Sequence, residues 1–155
     1  ALVAAVPLCH PAPNATLSLS VDASDSHVGG VLQQRCGKGW QPLAFYSKKL
    51  SSAEVKYSTF DRELLAAFLT IRHFRFLLEG RQFSLMTDHK PLVASMTRVT
   101  PPQSARQQRH LAFVSEFTTD LRHTPGTENV VADALSRPPT LLEVPSSSLP
   151  VLAIP

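Results

Sequence analysis

One predicted helix constrains the fold of this chain more than any other feature. From Phe60 to Leu78, the residues Phe60, Leu64, Ala67, Ile71, Phe74 and Leu78 form an apolar stripe at helical spacing, and Leu65, Leu69 and Phe76 form a second. A helix with two apolar stripes must be covered on more than one side, so much of it is expected to be buried. Gly80 is its natural C-terminal stop. The flanking segments read as the strands that would provide the cover. Thr16 to Val21 alternates polar and apolar residues and runs out at Asp22. Val28 to Gln34 and Trp40 to Tyr46 are two further strands joined through Gly37-Lys38-Gly39, so the first three strands form an antiparallel meander. Beyond the helix, Phe83 to Thr87 is a strand that again ends on an acid, Asp88. Thr118 to His123 is a fifth strand, followed by the turn Thr124-Pro125-Gly126.

Shorter elements fill the gaps. Ser51-Ser52-Ala53-Glu54 is a capping box for a helical turn, and Ser58 and Thr59 mark the start of the long helix. A short helix spans Pro91 to Met96, Pro101-Pro102 is a break, a basic helix runs from Ser104 to Phe117, and a last helix from Glu128 to Ser136. The order βββ-α-β-α-β-α predicts an α/β fold. Its five-stranded mixed sheet would have three antiparallel strands, then two parallel ones, and helices on both faces.

A chain of 155 residues accommodates one domain with tails. We expect a connector over 1–15, the domain over 16–137, and a Pro- and Ser-rich linker over 138–155 whose aliphatics show no period. The missing initiator Met is expected of a fragment or of a piece released from a longer chain. No run of eighteen apolar residues is present, so no spanning helix is expected. Ala1 to Leu8 is apolar but has no basic residue before it, which argues against a secretory signal. Cys9 and Cys36 are too few for a disulfide framework or a zinc site. A reducing intracellular compartment is therefore expected.

Net charge is only +3, but it is unevenly spread. Between Arg35 and Arg109, thirteen Lys or Arg face five acids, a local excess of +8. Such an excess suits a polyanionic partner, nucleic acid above all, and equally suits a solvated basic face.

Four acids stand out by position. Asp22 and Asp88 lie where apolar strands end, the usual place for site residues in open α/β sheets. Glu63 falls ~60° from the middle of the main apolar stripe of the long helix, so its carboxylate points toward the sheet. Asp133 sits among Val130, Val131, Ala132, Ala134 and Leu135. Charges in such surroundings are costly unless paired or bound to metal, and a converging set would raise its members' pKa values. All-oxygen ligands suit Mg²⁺ or Mn²⁺. Separate helix caps and surface acids are the other reading that spacing allows.

The motifs containing these acids resemble those of the ribonuclease H domains of gypsy-type LTR retrotransposons. The resemblance is carried by Val21-Asp22-Ala23-Ser24-Asp25 with Gly29-Gly30-Val31-Leu32, by Pro42 to Leu50, and by Tyr57-Ser58-Thr59-Phe60-Asp61-Arg62-Glu63-Leu64. Thr87-Asp88-His89-Lys90-Pro91-Leu92 and Asn129-Val130-Val131-Ala132-Asp133-Ala134-Leu135 complete it, in order and at natural intervals from about Pro11 to Arg137. The resemblance implies a ribonuclease H-like fold and a nuclease that cuts the RNA strand of RNA–DNA hybrids using two Mg²⁺ ions, with Mn²⁺ as a substitute. Asp22 would bridge both ions, Glu63 and Asp88 would hold one with it, and Asp133 the other. His123, ten residues before Asp133, resembles a His that assists proton traffic or product release; a solvated strand-end His is the plain alternative. His89 is read mainly as capping the next helix.

The expected partners are an RNA–DNA hybrid and a polymerase domain N-terminal in a parent polyprotein, with no membrane. For contacts to the hybrid the candidates are Ser24, Gly29, Gly30, Lys48, Lys49, Arg106 and Arg109. Gly29 and Gly30 are explained equally by close approach to RNA and by a β-bulge. The four cations could equally be solvated surface. The rival to a nuclease is a decayed or domesticated fragment that binds nucleic acid without cutting it; intact carboxylates speak against this.

Overall fold

The computed structural model describes residues 11–37, 39–97 and 104–125. Five strands, β1 (Leu17–Ala23), β2 (His27–Cys36), β3 (Gly39–Lys49), β4 (Phe83–Thr87) and β5 (Leu121–His123), form one sheet in the order β3-β2-β1-β4-β5. β1, β2 and β3 pair antiparallel, and β4 and β5 add in parallel, as the sequence predicts. The helices are α1 (Thr59–His73), α2 (Arg75–Leu78), α3 (Lys90–Thr97) and α4 (Ala105–Phe117). The expected last helix, and with it Asp133, lies outside the described residues.

Alternation in β1 separates two faces. Leu17, Leu19 and Val21 join the core with Leu65, Ala66, Leu69 and Ile71 of α1, and Ser18 and Ser20 alternate with them along the strand. Helix α1 packs on β1 and β2 and also against α3 and α4. Its contact with β2 is close. A Cβ on Gly30 would stand 2.5 Å from the Thr70 methyl and 3.2 Å from the Ser20 carbonyl oxygen. Gly30 is therefore small because a helix lies on it. The sheet's register irregularity falls between Leu32 and Gln33, so a bulge does not account for Gly30 either.

The long helix is two helices. Phe74, at φ −97° and ψ 13°, caps α1 and starts α2. The turn redirects the chain: Phe74 and Leu78 stay buried, whereas Phe76, expected in the second stripe, is 81% exposed with Arg75 over its ring. Gly80 ends the pair at φ 76°, a conformation that favours glycine. The capping box forms as read: Ser51 N–H donates to Glu54 Oε1 (2.8 Å) and Glu54 N–H to Ser51 Oγ (3.2 Å). The fifth strand is shorter than expected. Thr118 uses its hydroxyl instead, donating to the Phe83 carbonyl (2.8 Å) and accepting from Asp120 N–H (3.0 Å).

Candidate metal centre and nucleic-acid interface

β1 and β4 run parallel with Ser20 opposite Met86, so continuing two residues along each strand brings Asp22 beside Asp88. Helix α1 enters over this end of the sheet. Ser58 caps it by accepting from Asp61 N–H (3.1 Å), and Glu63 follows in the second turn, facing inward. Asp22, Glu63 and Asp88 each offer a carboxylate oxygen within 4.8 Å of the others. Asp22 and Glu63 are buried, 5% and 4% exposed, which makes the cluster costly without a counter-ion.

Glu63 shows that cost directly. Burial, and then the like charges of Asp22 and Asp88, push its pKa up to about 9. A hydrogen bond from the Ala23 backbone opposes the shift, and a side-chain hydrogen bond with Asp22 adds to it. Glu63 Oε2 is buried and has no hydrogen-bond partner among the described residues. An orphaned oxygen inside three converging carboxylates fits a hard divalent cation bound through oxygen.

The remaining candidates divide. His123 ends β5 opposite Thr87, one residue before Asp88 in the neighbouring strand, and is exposed. Ser24 shapes the β1–β2 turn, where its hydroxyl accepts from the backbone N–H groups of Ser26 (3.3 Å) and His27 (3.1 Å). Gly29 is buried opposite Asp22. Lys48 pairs with Glu54 at 3.0 Å, and Arg106 pairs with Asp61 at 3.0 Å. Of the four cations proposed for phosphate, Lys49 and Arg109 are the exposed ones. His89 leads into α3, its carbonyl accepting from Leu92 N–H (3.1 Å). Its ring faces Phe60 of α1 at 6.1 Å between centroids.

Two contributors had no signal in the sequence reading. Ala23 acts on Glu63 through its backbone, which no side-chain pattern reveals. Asp61 is the acid in the first turn of α1, and its partners lie 45 and 46 residues away on α4.

A family model described as the RNase H-like domain found in reverse transcriptase matches residues 12–117. The chain is 38% identical over 122 residues to the transposon Tf2-3 polyprotein of Schizosaccharomyces pombe, a match that covers 77% of the chain. It spans only 9% of that polyprotein's length. Among solved structures, RNase H1 from Halobacterium salinarum NRC-1 superposes with a TM-score of 0.56 at 14% identity, covering 78% of this chain and 92% of that one. LC11-RNase H1 in complex with an RNA/DNA hybrid gives 0.55 at 16% identity, covering 79% and 93%. These two likenesses establish the fold. Among the described residues, no helix is long and apolar enough to cross a membrane.

Proposed function

The chain belongs to the family of RNase H-like domains found in reverse transcriptases, and on that premise we propose that it is a metal-dependent endonuclease that cuts the RNA strand of RNA–DNA hybrids. The observation that carries this reading is the convergence of Asp22, Glu63 and Asp88 from three elements to within 4.8 Å, with a buried Glu63 oxygen unpartnered. A purely structural domain gains nothing from that repulsion. The hybrid-bound solved relative supports the substrate class by analogy. The Tf2 match supports a parent polyprotein, and the matching family is one found in reverse transcriptase. In this reading a polymerase domain lies N-terminal to this one, and the protein acts in an intracellular particle or the nucleus.

In this reading Asp22, Glu63 and Asp88, joined by Asp133, would hold divalent cations, Mg²⁺ or Mn²⁺. The chemistry such ions supply when bound is activation of a water and neutralisation of charge on the leaving 3′ oxygen. The protein's own share is placement. Asp22 and Asp88 are held by paired strands, and Glu63 is brought in by a buried helix. Glu63 must give up its proton for the cations to bind. His123, exposed on the strand beside Thr87, is assigned proton traffic or product release. Exposed Lys49 and Arg109 are assigned to the phosphates.

The test is cleavage of a labelled RNA–DNA hybrid by the wild type and by Asp22→Asn across a Mg²⁺ series, with duplex DNA as control. We expect cuts in RNA alone, a product carrying a 5′ phosphate, and no cutting by Asp22→Asn. Wild-type protein that binds the hybrid but never cuts it would make the chain a nucleic-acid-binding remnant.

A further inference from the structure

Arg106 sits in a cluster on the outer side of α1. Two residues correspond to ~200° around an α-helix, so Asp61 stands nearly opposite Glu63 on the same helix. Both Asp61 oxygens are taken by α4. Oδ2 accepts from Arg106 Nη2 at 3.0 Å and Oδ1 from Gln107 Nε2 at 2.7 Å. The Arg106 guanidinium also lies 3.9 Å from the centroid of the Tyr57 ring. Gln107 is itself fixed, its N–H donating to the α4 cap Ser104 at 3.1 Å. The first turns of α1 and α4 are thereby locked together.

An isolated exposed ion pair would contribute little. This one is different in kind. Asp61 is only 14% exposed, and its carboxylate is held at both oxygens while the cation is stacked on an aromatic face. The same helix also carries Glu63, whose carboxylate lies within 4.8 Å of those of Asp22 and Asp88, so the seating of α1 sets the spacing of the three acids.

We propose that Arg106 is a positioning residue for the metal centre and does not contact phosphate: by gripping Asp61 it holds α1 against the sheet, so that Glu63 stays within reach of Asp22 and Asp88. The proposal rests on the metal-dependent reading above. It predicts that Arg106 governs metal affinity, whereas a phosphate ligand would govern the salt dependence of hybrid binding.

The experiment uses the full chain as wild type, Arg106→Ala, Arg106→Lys and Asp61→Asn. Thermal midpoints are followed against Mg²⁺ without nucleic acid, hybrid binding against salt without Mg²⁺, and cleavage by kcat and KM. Loss of a group that orients a metal ligand typically costs 10–100-fold in affinity. Arg106→Ala and Asp61→Asn should therefore each raise the half-saturating Mg²⁺ about tenfold. Both should lower kcat with little change in KM, and leave the salt slope as in the wild type. Arg106→Lys keeps the charge but not the planar fork, and should not restore Mg²⁺ affinity. A salt slope reduced by about 0.9 in Arg106→Ala, with Mg²⁺ affinity intact, would identify a phosphate contact and overturn the proposal. So would Asp61→Asn with wild-type Mg²⁺ affinity, a result that stands even if Arg106→Ala does not fold. A wild type that Mg²⁺ does not stabilise would remove the metal reading itself; unaffected variants beside a responsive wild type remove only the role of Arg106.

Discussion

The paired strands β1 and β4 end in acids at one side and open onto a cleft at the other, and the acids of the two ends are in opposite states. At the end carrying Asp22 and Asp88, Glu63 is buried among like charges and its pKa rises to about 9. At the far end, a cleft of about 450 Å³ lies between Thr16, Phe83, Phe117 and Asp120. There Asp120 accepts from Arg122 at 3.0 and 3.2 Å and from Ser84 at 2.8 Å. The Arg122 and Ser84 hydrogen bonds hold its carboxyl below the usual carboxylate range. A cleft by itself does not identify a site. The chemistry of the acids points to the carboxyl ends of the strands, where open α/β sheets place their sites. A satisfied acid contributes to the fold; a frustrated cluster contributes only once something binds it.

The comparison breaks most visibly if the frustrated end proves dispensable. Asp88→Asn should lower hybrid cleavage about a thousandfold, on the order of 4 kcal/mol of transition-state stabilisation. Single-turnover cleavage in Mg²⁺ checks this. A loss below tenfold would detach Asp88 from the metal centre.

The second effect is a pH dependence confined to the metal-free protein. Folded Glu63 keeps its proton up to about pH 9, against an ordinary value of 4.5. Across that interval the folded state binds more protons than the unfolded one, so stability falls as pH rises and levels off above 9. From pH 7.5 to 9 the histidines that burial lowers, His27, His73, His89 and His110, stay neutral, and comparison with Glu63→Gln separates Glu63 from the thiols and the α-amino group that ordinarily titrate there. Without metal, the melting temperature should fall across this window in the wild type and stay flatter in Glu63→Gln. Mg²⁺ should reverse the trend, since binding needs the ionised carboxylate. Equal slopes in the two proteins would mean that Glu63 is ionised in the metal-free fold.

The same contrast explains what the sequence revealed. Strand β4 was legible to the residue, Phe83 to Thr87, because its apolar run is bounded by polar residues. The three clustered acids were legible because each sits at a strand end or on an inward helix face. The break at Phe74 was not: the helical spacing of Leu64, Ile71, Phe74 and Leu78 continues through it, while the backbone turn that exposes Phe76 leaves no mark on the pattern. Gly30 was legible as special but not for its reason, because its neighbour Thr70 is forty residues away. The partners of Asp61 were hidden in the same way. Sequence periodicity reports which face a residue takes, and long-range pairing decides what it meets there.

A third, smaller effect probes how α1 is seated over the site. Gly30→Ala would place a Cβ 2.5 Å from the Thr70 methyl, with the Ser20 carbonyl at 3.2 Å preventing retreat. Overpacking of this kind costs about 1–3 kcal/mol. Denaturant unfolding should show that loss, and Thr70→Ala in the same chain should recover part of it by removing the methyl and hydroxyl in the way. Full stability in Gly30→Ala would mean that α1 sits further from β2 than described.

The smallest effect belongs to the satisfied end, and it is informative because it should be small. Asp120→Asn removes the charge that Arg122 engages, but both groups are largely in water, with side chains 49% and 61% exposed. Solvent and salt screen such a pair heavily. The expected result is a slight drop in melting temperature that shrinks further at high salt. Its pH dependence should run opposite to that of Glu63. Because Asp120 lies below its ordinary 3.8 when folded, its contribution is present above that value and disappears as pH falls through the lower folded one. The wild type and Asp120→Asn should therefore differ at neutral pH and converge in strong acid. Cleavage and Mg²⁺ stabilisation should be unchanged, since Asp120 lies at the opposite end of β4 from Asp88. If Asp120→Asn weakened Mg²⁺ binding as Asp88→Asn does, the two ends of the strand pair would be coupled, and acid chemistry would no longer distinguish a site from a scaffold in this fold.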